Sequence, residues 1–419
     1  MNQVKRIYGK LKSTGILSNF LNLGSIQVSN MLLALLSMVI VTRTVGIVAF
    51  GLVTSGYRFA LLAGSGINYG TGQSGIRDTA LTQGNAVKLS NVFYTTLLLR
   101  LIIFLIFLVA IFILQVTGLF YSKFVWFSMP VVLAEVFNPL CFYIGVEKLK
   151  TFNIYNLISN VAALGAIIFM VHGADDALFV NFILGMANIA TYGVLLMQFA
   201  IRFKLPLIWP HRDGLKKLAT DNFYLTINNA SANLQQNVII FVLTKWSTPN
   251  ILGAYAVCDR FIGQIRNILN IVANAIYPNA VRIYVESLEL WNNYRRKIKR
   301  LFMALFFAGG LITFVLADLI IDILSDRPDV TAILFLRIMA FVPVISVLNT
   351  INTLDQLIKK HNVYIFRIAT LLLVISTLLA VVLTTTGNVF LIGAFTVIVE
   401  ICGCLMYEYV ITKPSVQHD

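Results

Sequence analysis

Six arginines lie inside long apolar stretches of this chain, where a guanidinium group has no bulk water to solvate it. An ionisable side chain at the centre of a bilayer costs on the order of 2.5–3.5 kcal/mol on insertion scales, so such residues mark functional sites. Arginine presents a fork of N–H donors that fits phosphate and carboxylate oxygens in bidentate geometry. These residues therefore indicate a site for an anionic ligand: Arg58, Arg100, Arg260, Arg266, Arg337 and Arg367.

Acidic residues at a similar depth are fewer, and we find Glu135, Asp259 and Glu400. Ion pairing that fixes helix packing is one explanation for the buried charges. Pairing with three acids leaves a surplus of three arginines, and a net-positive interior attracts a phosphate or an acidic sugar. We expect the same three acids to be the candidates for coupling transport to protons or cations.

The arginines differ in how far they lie from the ends of their apolar stretches. Arg58 and Arg260 are far from any charged loop, and Arg266 shares a helix face with Asp259. Together with Arg337, these three are the predicted anion-binding residues. Arg367 is close enough to the end of its stretch to reach the interface by snorkelling, and Arg100 can do so only in part.

A polar stripe follows the start of the second half of the chain, at helical spacing of four and three residues. A polar face on a membrane helix contacts either other helices or an aqueous cavity. Both alternatives stay open, and we predict that Asn229 and Asn233 contact the substrate. The stripe consists of Asn222, Thr226, Asn229, Asn233 and Gln236.

The amino-acid composition indicates which kind of secondary structure positions these residues. Of 419 residues, 58% are hydrophobic and 12% are charged, and the mean hydropathy is +0.83. These values exclude a soluble enzyme and a nucleic-acid-binding protein, and they predict an all-α integral membrane protein. About 20 apolar residues cross a bilayer as a helix, which gives twelve spans: 18–42, 46–72, 90–116, 124–145, 152–172, 177–200, 222–244, 250–276, 301–322, 330–354, 362–385 and 388–411.

The basic residues predict the orientation of these spans. The net charge is +14, and most of the 32 Lys and Arg residues fall in connections on one side. Cytoplasmic loops carry the excess of basic residues, so we expect both termini in the cytoplasm and the protein in a bacterial inner membrane. The Lys and Arg residues in the connections on the other side are only four: Arg43, Lys123, Lys245 and Arg327.

An internal repeat relates the two halves at an offset of 202 residues. Parallel repeats of this kind are related by an axis along the membrane normal, and they enclose a pathway. We predict two pseudo-symmetric six-helix bundles at 1–200 and 222–419, joined by a cytoplasmic linker at 201–221. The matched pairs include Thr42 with Thr244, Arg43 with Lys245, Gly51 with Gly253, Arg58 with Arg260 and Phe59 with Phe261.

No motif of ordinary catalysis is present in the sequence. There is no GxxxxGK[ST], HExxH or GxSxG pattern, and the four cysteines lack metal-ligand spacing. We therefore expect no enzymatic activity, no cofactor and no metal, and energy that comes from an ion gradient or downhill flux.

Three local patterns resemble the polysaccharide-transporter branch of the MOP (MATE-like) superfamily, and more narrowly the Wzx-type O-antigen flippases. The segments 43–46 and 50–51 are similar to the family's R-x-LG…FG entry to the second span. The family's DFG…(A/G)xRD and LGxY…LYP patterns are similar to 66–70 with 75–78, and to 252–255 with 276–278. Asn68 stands where the family often has an acid, which puts the role of that acid in doubt.

The resemblance implies a V-shaped pair of bundles, alternating access and a cationic central cavity. It implies that the cargo is an undecaprenyl-diphosphate-linked O-antigen or capsular oligosaccharide, moved from the cytoplasmic to the periplasmic leaflet. Further partners would be the bilayer, an O-antigen polymerase and a chain-length regulator.

Three alternative functions stay open. A MATE-like multidrug or cation antiporter would favour an anionic cavity, against the positive surplus. A membrane-embedded polysaccharide polymerase would need a large outer loop, and every connection here is short. A lipid II flippase usually has more spans than the twelve counted.

Overall fold

The computed structural model describes residues 16–118, 122–325, 328–359 and 361–412, and within these ranges the chain is built from helices without strands. A short 3-10 turn, Ala174–Asp176, precedes the last helix of the first half. The helices of the first half are α1 (Ile16–Asn68), α2 (Thr71–Leu81), α3 (Ala86–Val116), α4 (Lys123–Phe127), α5 (Met129–Phe137), α6 (Leu140–Gly145), α7 (Leu149–Met170) and α8 (Ala177–Arg202).

The second half continues after a non-helical stretch at 203–211. Its helices are α9 (Arg212–Trp246), α10 (Pro249–Glu286), α11 (Leu288–Val315), α12 (Ala317–Leu324), α13 (Val330–Met339), α14 (Val342–Ile358), α15 (Asn362–Thr385) and α16 (Val389–Thr412).

Nine helical stretches in the described ranges are long and apolar enough to cross a membrane. One of them, Ser29–Asn68, has 40 residues and is interrupted at Gly46, whose φ of 80° and ψ of 160° are not helical. It holds two spans, because about 20 residues suffice for one. The other two predicted spans, 222–244 and 250–276, correspond to parts of helices α9 and α10, which are not among the nine. The predicted all-α membrane fold is confirmed.

Two predicted connections differ from the structure. The segment 277–300 is almost entirely helical, since α10 extends to Glu286 and α11 begins at Leu288. Ser287 separates them and caps α11, with its Oγ accepting from the backbone N–H of Glu289 at 3.2 Å. In 201–221 only 203–211 is non-helical. Hydropathy detects the apolar part of a helix, and these helices continue beyond it.

Breaks divide several predicted spans, and each break follows from local chemistry. Pro139 separates α5 from α6 because a proline cannot donate to the preceding turn. Pro343 lies at the first turn of α14, where a missing N–H costs nothing.

Helices α1 and α10 make the closest approach between the halves. A Cβ atom added to Gly51 would lie 2.6 Å from Cα of Gly253, so the two backbones are in contact. Beside them, the hydroxyls of Ser55 and Thr244 are hydrogen-bonded at 2.8 Å. The largest apolar cluster surrounds this crossing and includes Phe50 and Tyr255, both fully buried. The halves thus pack tightly at this end.

Candidate functional site

A cavity of about 740 Å³ lies beyond the α1–α10 crossing. Its walls come from α9, α10, α14 and α16, and among the described residues Arg58 is the one first-half residue that lines it. Along α10 the lining runs from Asp259 to Tyr277. Eighteen helical residues rise about 27 Å, most of the ~30 Å hydrocarbon thickness. The cavity therefore extends from the closed crossing toward the end of the protein where α10 and α14 terminate.

Five charged residues line the cavity: Arg58, Asp259, Arg260, Arg266 and Glu400. All five were predicted from the sequence as anion-binding or ion-coupling residues. The structure brings them together from three helices and both halves of the chain. Their pairing decides which positive charge is available to a ligand.

Arg58 and Asp259 form an ion pair across the two halves. The Arg58 guanidinium donates to Oδ2 of Asp259 at 2.9 Å, and both side chains are about one-quarter exposed. At the repeat offset, the position equivalent to Asp259 is occupied by Tyr57. The symmetric partner of this ion pair therefore does not exist, because the first half has no carboxylate there.

Arg266 and Glu400 form the second ion pair of the cavity. Asn349 supports the carboxylate, since its Nδ2 donates to Glu400 Oε2 at 2.5 Å and to the Glu400 backbone oxygen at 2.9 Å. The Glu400 side chain is only 10% exposed, whereas that of Arg266 is 41% exposed. The guanidinium thus remains open to the cavity while its carboxylate is enclosed.

Arg260 has no ion pair among the residues that the structure describes. Its guanidinium carbon lies 5.7 Å from the ring centroid of Phe50, a cation–π contact that leaves the charge in place. With two carboxylates for three arginines, the described residues of the lining carry one net positive charge, and Arg260 supplies it.

Uncharged polar groups complete the lining. Gln235 and Gln236 come from α9, and Ser346, Asn349 and Thr350 come from α14. The α14 group also includes Thr353 and follows helical spacing, so a stripe search like that used for α9 could have found it. These amides and hydroxyls can exchange hydrogen bonds with sugar hydroxyls.

Two predicted asparagines lie outside the cavity lining. Asn233 donates from Nδ2 to the backbone oxygen of Asn229 at 3.0 Å, and Asn237 donates to the oxygen of Asn233 at 2.7 Å. This part of the stripe bonds along its own helix. Gln236, from the same stripe, does line the cavity.

Arg337 also lies outside the lining. It pairs with Asp318 at 2.6 Å, and its guanidinium carbon is 5.9 Å from the Phe314 ring. Asp318 falls inside the predicted span 301–322 and was missing from the count of membrane acids. The predicted surplus of three positive charges was therefore too large.

Glu135 occupies a separate, half-buried site in the first half. Asn138 donates from Nδ2 to Glu135 Oε2 at 3.1 Å, and no Lys or Arg in the described ranges forms an ion pair with this carboxylate. Gly64 leaves the space for it, since a Cβ there would lie 2.8 Å from Glu135 Cγ. Arg100 is nearby but binds Thr71 Oγ1 at 2.8 Å and the backbone oxygen of Asn138 at 2.7 Å.

Arg100 is 1% exposed, so the partial snorkelling predicted for it is wrong.

Asn68, at the position where the resembling family often has an acid, accepts from the backbone N–H of Gly72 at 2.7 Å. Its oxygen therefore caps α2, a task that a carboxylate could also perform. On α2, Asp78 accepts from Arg77 at 2.9 Å, and this hydrogen bond raises the pKa of the Arg77 guanidinium.

A second charged network lies where α11, α14 and α16 meet, and the sequence analysis missed it. Asp355 is fully buried and accepts from Trp291 Nε1 at 2.7 Å. Lys359 at 3.0 Å and Arg295 at 3.4 Å neutralise its carboxylate. Next to it, Lys299 pairs with Glu408 at 2.9 Å. All five charged groups take part in ion pairs, so the network holds the three helices together.

The described ranges contain no group of three or more His, Cys, Asp or Glu residues placed to hold a metal ion. The site therefore consists of arginines, their two carboxylates and neutral hydrogen-bonding groups. Such a lining can bind an anion with polar substituents.

The fold and cavity define a multi-pass membrane protein with the fold of the MOP transporter superfamily. The structure superposes on the lipid II flippase MurJ in an inward closed conformation, with a TM-score of 0.72 and 12% identity over 93% of this chain and 87% of that one. An inward-facing MATE family multidrug resistance transporter of the MOP superfamily gives a TM-score of 0.67 and 13% identity, over 92% and 95% of the two chains. The eukaryotic MATE transporter AtDTX14 gives 0.57 and 14% identity, over 97% of each chain.

Residues 16–284 match the family described as polysaccharide biosynthesis protein, and the chain belongs to that family. It is 22% identical over 353 residues to a protein of Escherichia coli (strain K12) that is named as an O-antigen transporter, covering 82% of this chain and 83% of that protein. The predicted family is confirmed. These relatives are transporters, in agreement with the prediction that the chain is not an enzyme.

Proposed function

We propose that this protein is a flippase that moves an undecaprenyl-diphosphate-linked O-antigen or capsular repeat unit from the cytoplasmic to the periplasmic leaflet. The observation that carries the proposal is the unpaired guanidinium of Arg260 in a large polar cavity. Membership in a polysaccharide biosynthesis family and the likeness to an O-antigen transporter support this cargo class.

The diphosphate is the part of the cargo that Arg260 would bind first. A fork of N–H donors matches two phosphate oxygens, and the partly desolvated cavity strengthens the attraction. Arg266 is 41% exposed and can contribute a second fork without leaving Glu400. Arg58 can do so only by sharing or releasing Asp259. Of the predicted substrate-binding set, we keep these three arginines and leave out Arg337, Asn229 and Asn233.

The sugars and the lipid tail need different surroundings. A volume of about 740 Å³ is within the range of drug-sized ligand sites, enough for a diphosphate with its first sugars. Gln235, Gln236, Asn267 and Thr350 supply hydrogen-bonding groups for sugar hydroxyls. The apolar tail would remain in lipid, because charged and hydrogen-bonding groups line this cavity.

Alternating access would start from the state described here. The basic connections predicted to face the cytoplasm include Lys359, next to the end of α14 toward which the cavity extends. The opposite end is closed where Gly51 meets Gly253. We infer a cytoplasm-accessible state, both termini in the cytoplasm, and two rocking units at 1–200 and 222–419.

Ion coupling is assigned to Glu135 in preference to Asp259 and Glu400. The latter two carboxylates are held by arginines, so protonating either one breaks an ion pair. Glu135 is bonded by a neutral amide and can exchange a proton or cation without that cost. An O-antigen polymerase and a chain-length regulator remain predicted partners.

Complementation of a strain that lacks this gene tests the proposal. Arg260→Ala, produced at normal membrane abundance, should abolish surface polysaccharide, and Arg260→Lys should restore only part because it keeps the charge but loses the fork. Arg367→Ala is the matched control, since Arg367 is an exposed arginine in another apolar span. Normal polysaccharide from Arg260→Ala would overturn the proposal, as would drug sensitivity as the sole defect of the deletion strain.

A further inference from the structure

The stretch between the two halves, 203–211, holds two of the most exposed apolar side chains of the protein. Leu207 is 84% exposed and Trp209 is 83% exposed. Isolated exposed apolar residues are common on protein surfaces. Here two exposed apolar side chains lie within three residues of each other, next to a membrane-spanning helix. We therefore expect another surface to cover them.

The segment is fixed in place, so this exposure is imposed by the fold. Ser90 at the start of α3 donates its hydroxyl to the backbone oxygen of Pro206. Leu205 packs on the apolar cluster around Phe142 and Phe199, and Pro210 is buried. Because contacts at both ends of the segment hold it against the protein, the residues between them face outward.

Basic residues flank the exposed pair on both sides. All five are exposed, and none forms an ion pair within the described part of the chain. Asp213 is the single acid between them. Such a concentration of positive charge beside a membrane helix attracts anionic headgroups. These basic residues are Arg202, Lys204, Arg212, Lys216 and Lys217.

The lipid-facing surface of α8 leads directly to this segment. Val194, Met197 and Ile201 are 53%, 67% and 66% exposed, and they lie on one face of the last turns of α8. Leu207 and Trp209 follow where that face ends. Tryptophan favours this depth of a bilayer, because its ring is apolar while its N–H requires a polar partner.

We propose that residues 202–217 form an interfacial anchor, in which Leu207 and Trp209 insert at the headgroup level of a bilayer and the five basic residues bind anionic phospholipid headgroups. The anchor fixes the segment between the halves to the membrane surface. When the two halves move, this segment stays at the membrane interface.

Tryptophan fluorescence of the full chain in vesicles tests the anchor. Wild type and Trp209→Phe are reconstituted in phosphatidylcholine, with or without phosphatidylglycerol, and the difference between their signals isolates Trp209. We expect this difference signal to be shielded from acrylamide and quenched most by lipids brominated near the headgroup. Phosphatidylglycerol should increase both effects.

A charge variant tests the headgroup contacts separately. The phosphatidylglycerol effect on the difference signal should be lost in Arg212→Gln/Lys216→Gln/Lys217→Gln. It should persist in Arg296→Gln/Lys297→Gln/Arg300→Gln, which removes three exposed cations of α11. Equal loss in both variants, or in neither, would overturn the role of the flanking charges.

Three results would overturn the insertion of Trp209. The first is free access of acrylamide with no quenching by brominated lipid. The second is strongest quenching by bromines near the chain ends, which would place the ring too deep. The third is shielding from acrylamide without quenching by brominated lipid, which would indicate a second copy of the chain as the cover.

Discussion

Gly51 and Gly253 are equivalent positions of the internal repeat, and their backbones touch. A Cβ on Gly51 would lie 2.6 Å from the Gly253 Cα atom. Two residues related by a two-fold axis can touch only where that axis passes close to both. The predicted repeat axis would therefore pass through the α1–α10 crossing, and we propose this crossing as the pivot of the two halves.

Enlarging this crossing should separate the helices. Gly51→Ala adds a methyl group against backbone that cannot rotate away, and overpacking of this kind costs about 1–3 kcal/mol. We expect a lower thermal unfolding temperature in detergent and reduced transport. Gly309→Ala is the control, because Gly309 is exposed in helix α11 with nothing within 4 Å of its added Cβ. Equal unfolding temperatures for both variants would contradict the pivot.

The Arg58–Asp259 ion pair should appear as coupling in a double-mutant cycle. Residues in direct contact show interaction energies of about 0.5–3 kcal/mol. We expect the unfolding free energy lost in Arg58→Ala/Asp259→Ala to be smaller than the sum of the two single losses. Arg58 with Asp318, which pairs instead with Arg337, gives the control cycle. Strict additivity in the Arg58–Asp259 cycle would show that the halves are not joined there.

Buried Asp355 should matter more for stability than exposed Asp318. Asp355→Asn leaves Arg295 and Lys359 without their carboxylate, and breaking a buried pair costs about 3–5 kcal/mol. Asp318 is 60% exposed and lies near the end of its predicted span, and a pair in contact with water contributes about 0–1 kcal/mol. Thermal unfolding of Asp355→Asn and Asp318→Asn measures the difference. Similar unfolding temperatures would mean that the Asp355 network does not hold α11 and α14 together.

The membrane fold was predictable because its signal is local and repeated. Apolar length, basic connections and the offset of 202 residues each require only a scan along the chain. The continuous helices through 277–300 were not predictable in this way, because hydropathy falls outside the membrane although α10 and α11 continue. The boundary between the predicted spans 18–42 and 46–72 lies close to the observed interruption, because Gly46 is the first residue of the second predicted span.

Glu135→Gln should uncouple transport from an imposed ion gradient. Glutamine keeps the shape and can still bond Asn138, but it cannot take up a proton or neutralise a cation. We expect translocation in reconstituted vesicles to lose its acceleration by the gradient while gradient-free flux persists. Glu147→Gln, at an exposed turn, should keep the acceleration. Full acceleration in Glu135→Gln would shift the role to Asp259 or Glu400.

The candidate site was predictable in its members and not in its pairing. Arg58, Arg260, Arg266, Asp259 and Glu400 stand out as charges in apolar spans, and all line the cavity. Which arginine stays unpaired depends on the rotation of each helix, and the sequence does not carry that information. Arg337 shows the limit, because the same signal marks it and the structure pairs it with Asp318, which the count of acids omitted.

The central claim is that Arg260 holds the diphosphate of a lipid-linked oligosaccharide, and translocation in reconstituted vesicles tests it most directly. The measurement is the rate at which such a lipid becomes accessible on the far leaflet, for wild type, Arg260→Ala and Arg367→Ala. The account predicts near-complete loss in Arg260→Ala, partial recovery in Arg260→Lys and a normal rate in Arg367→Ala. An unchanged rate in correctly folded Arg260→Ala would contradict it.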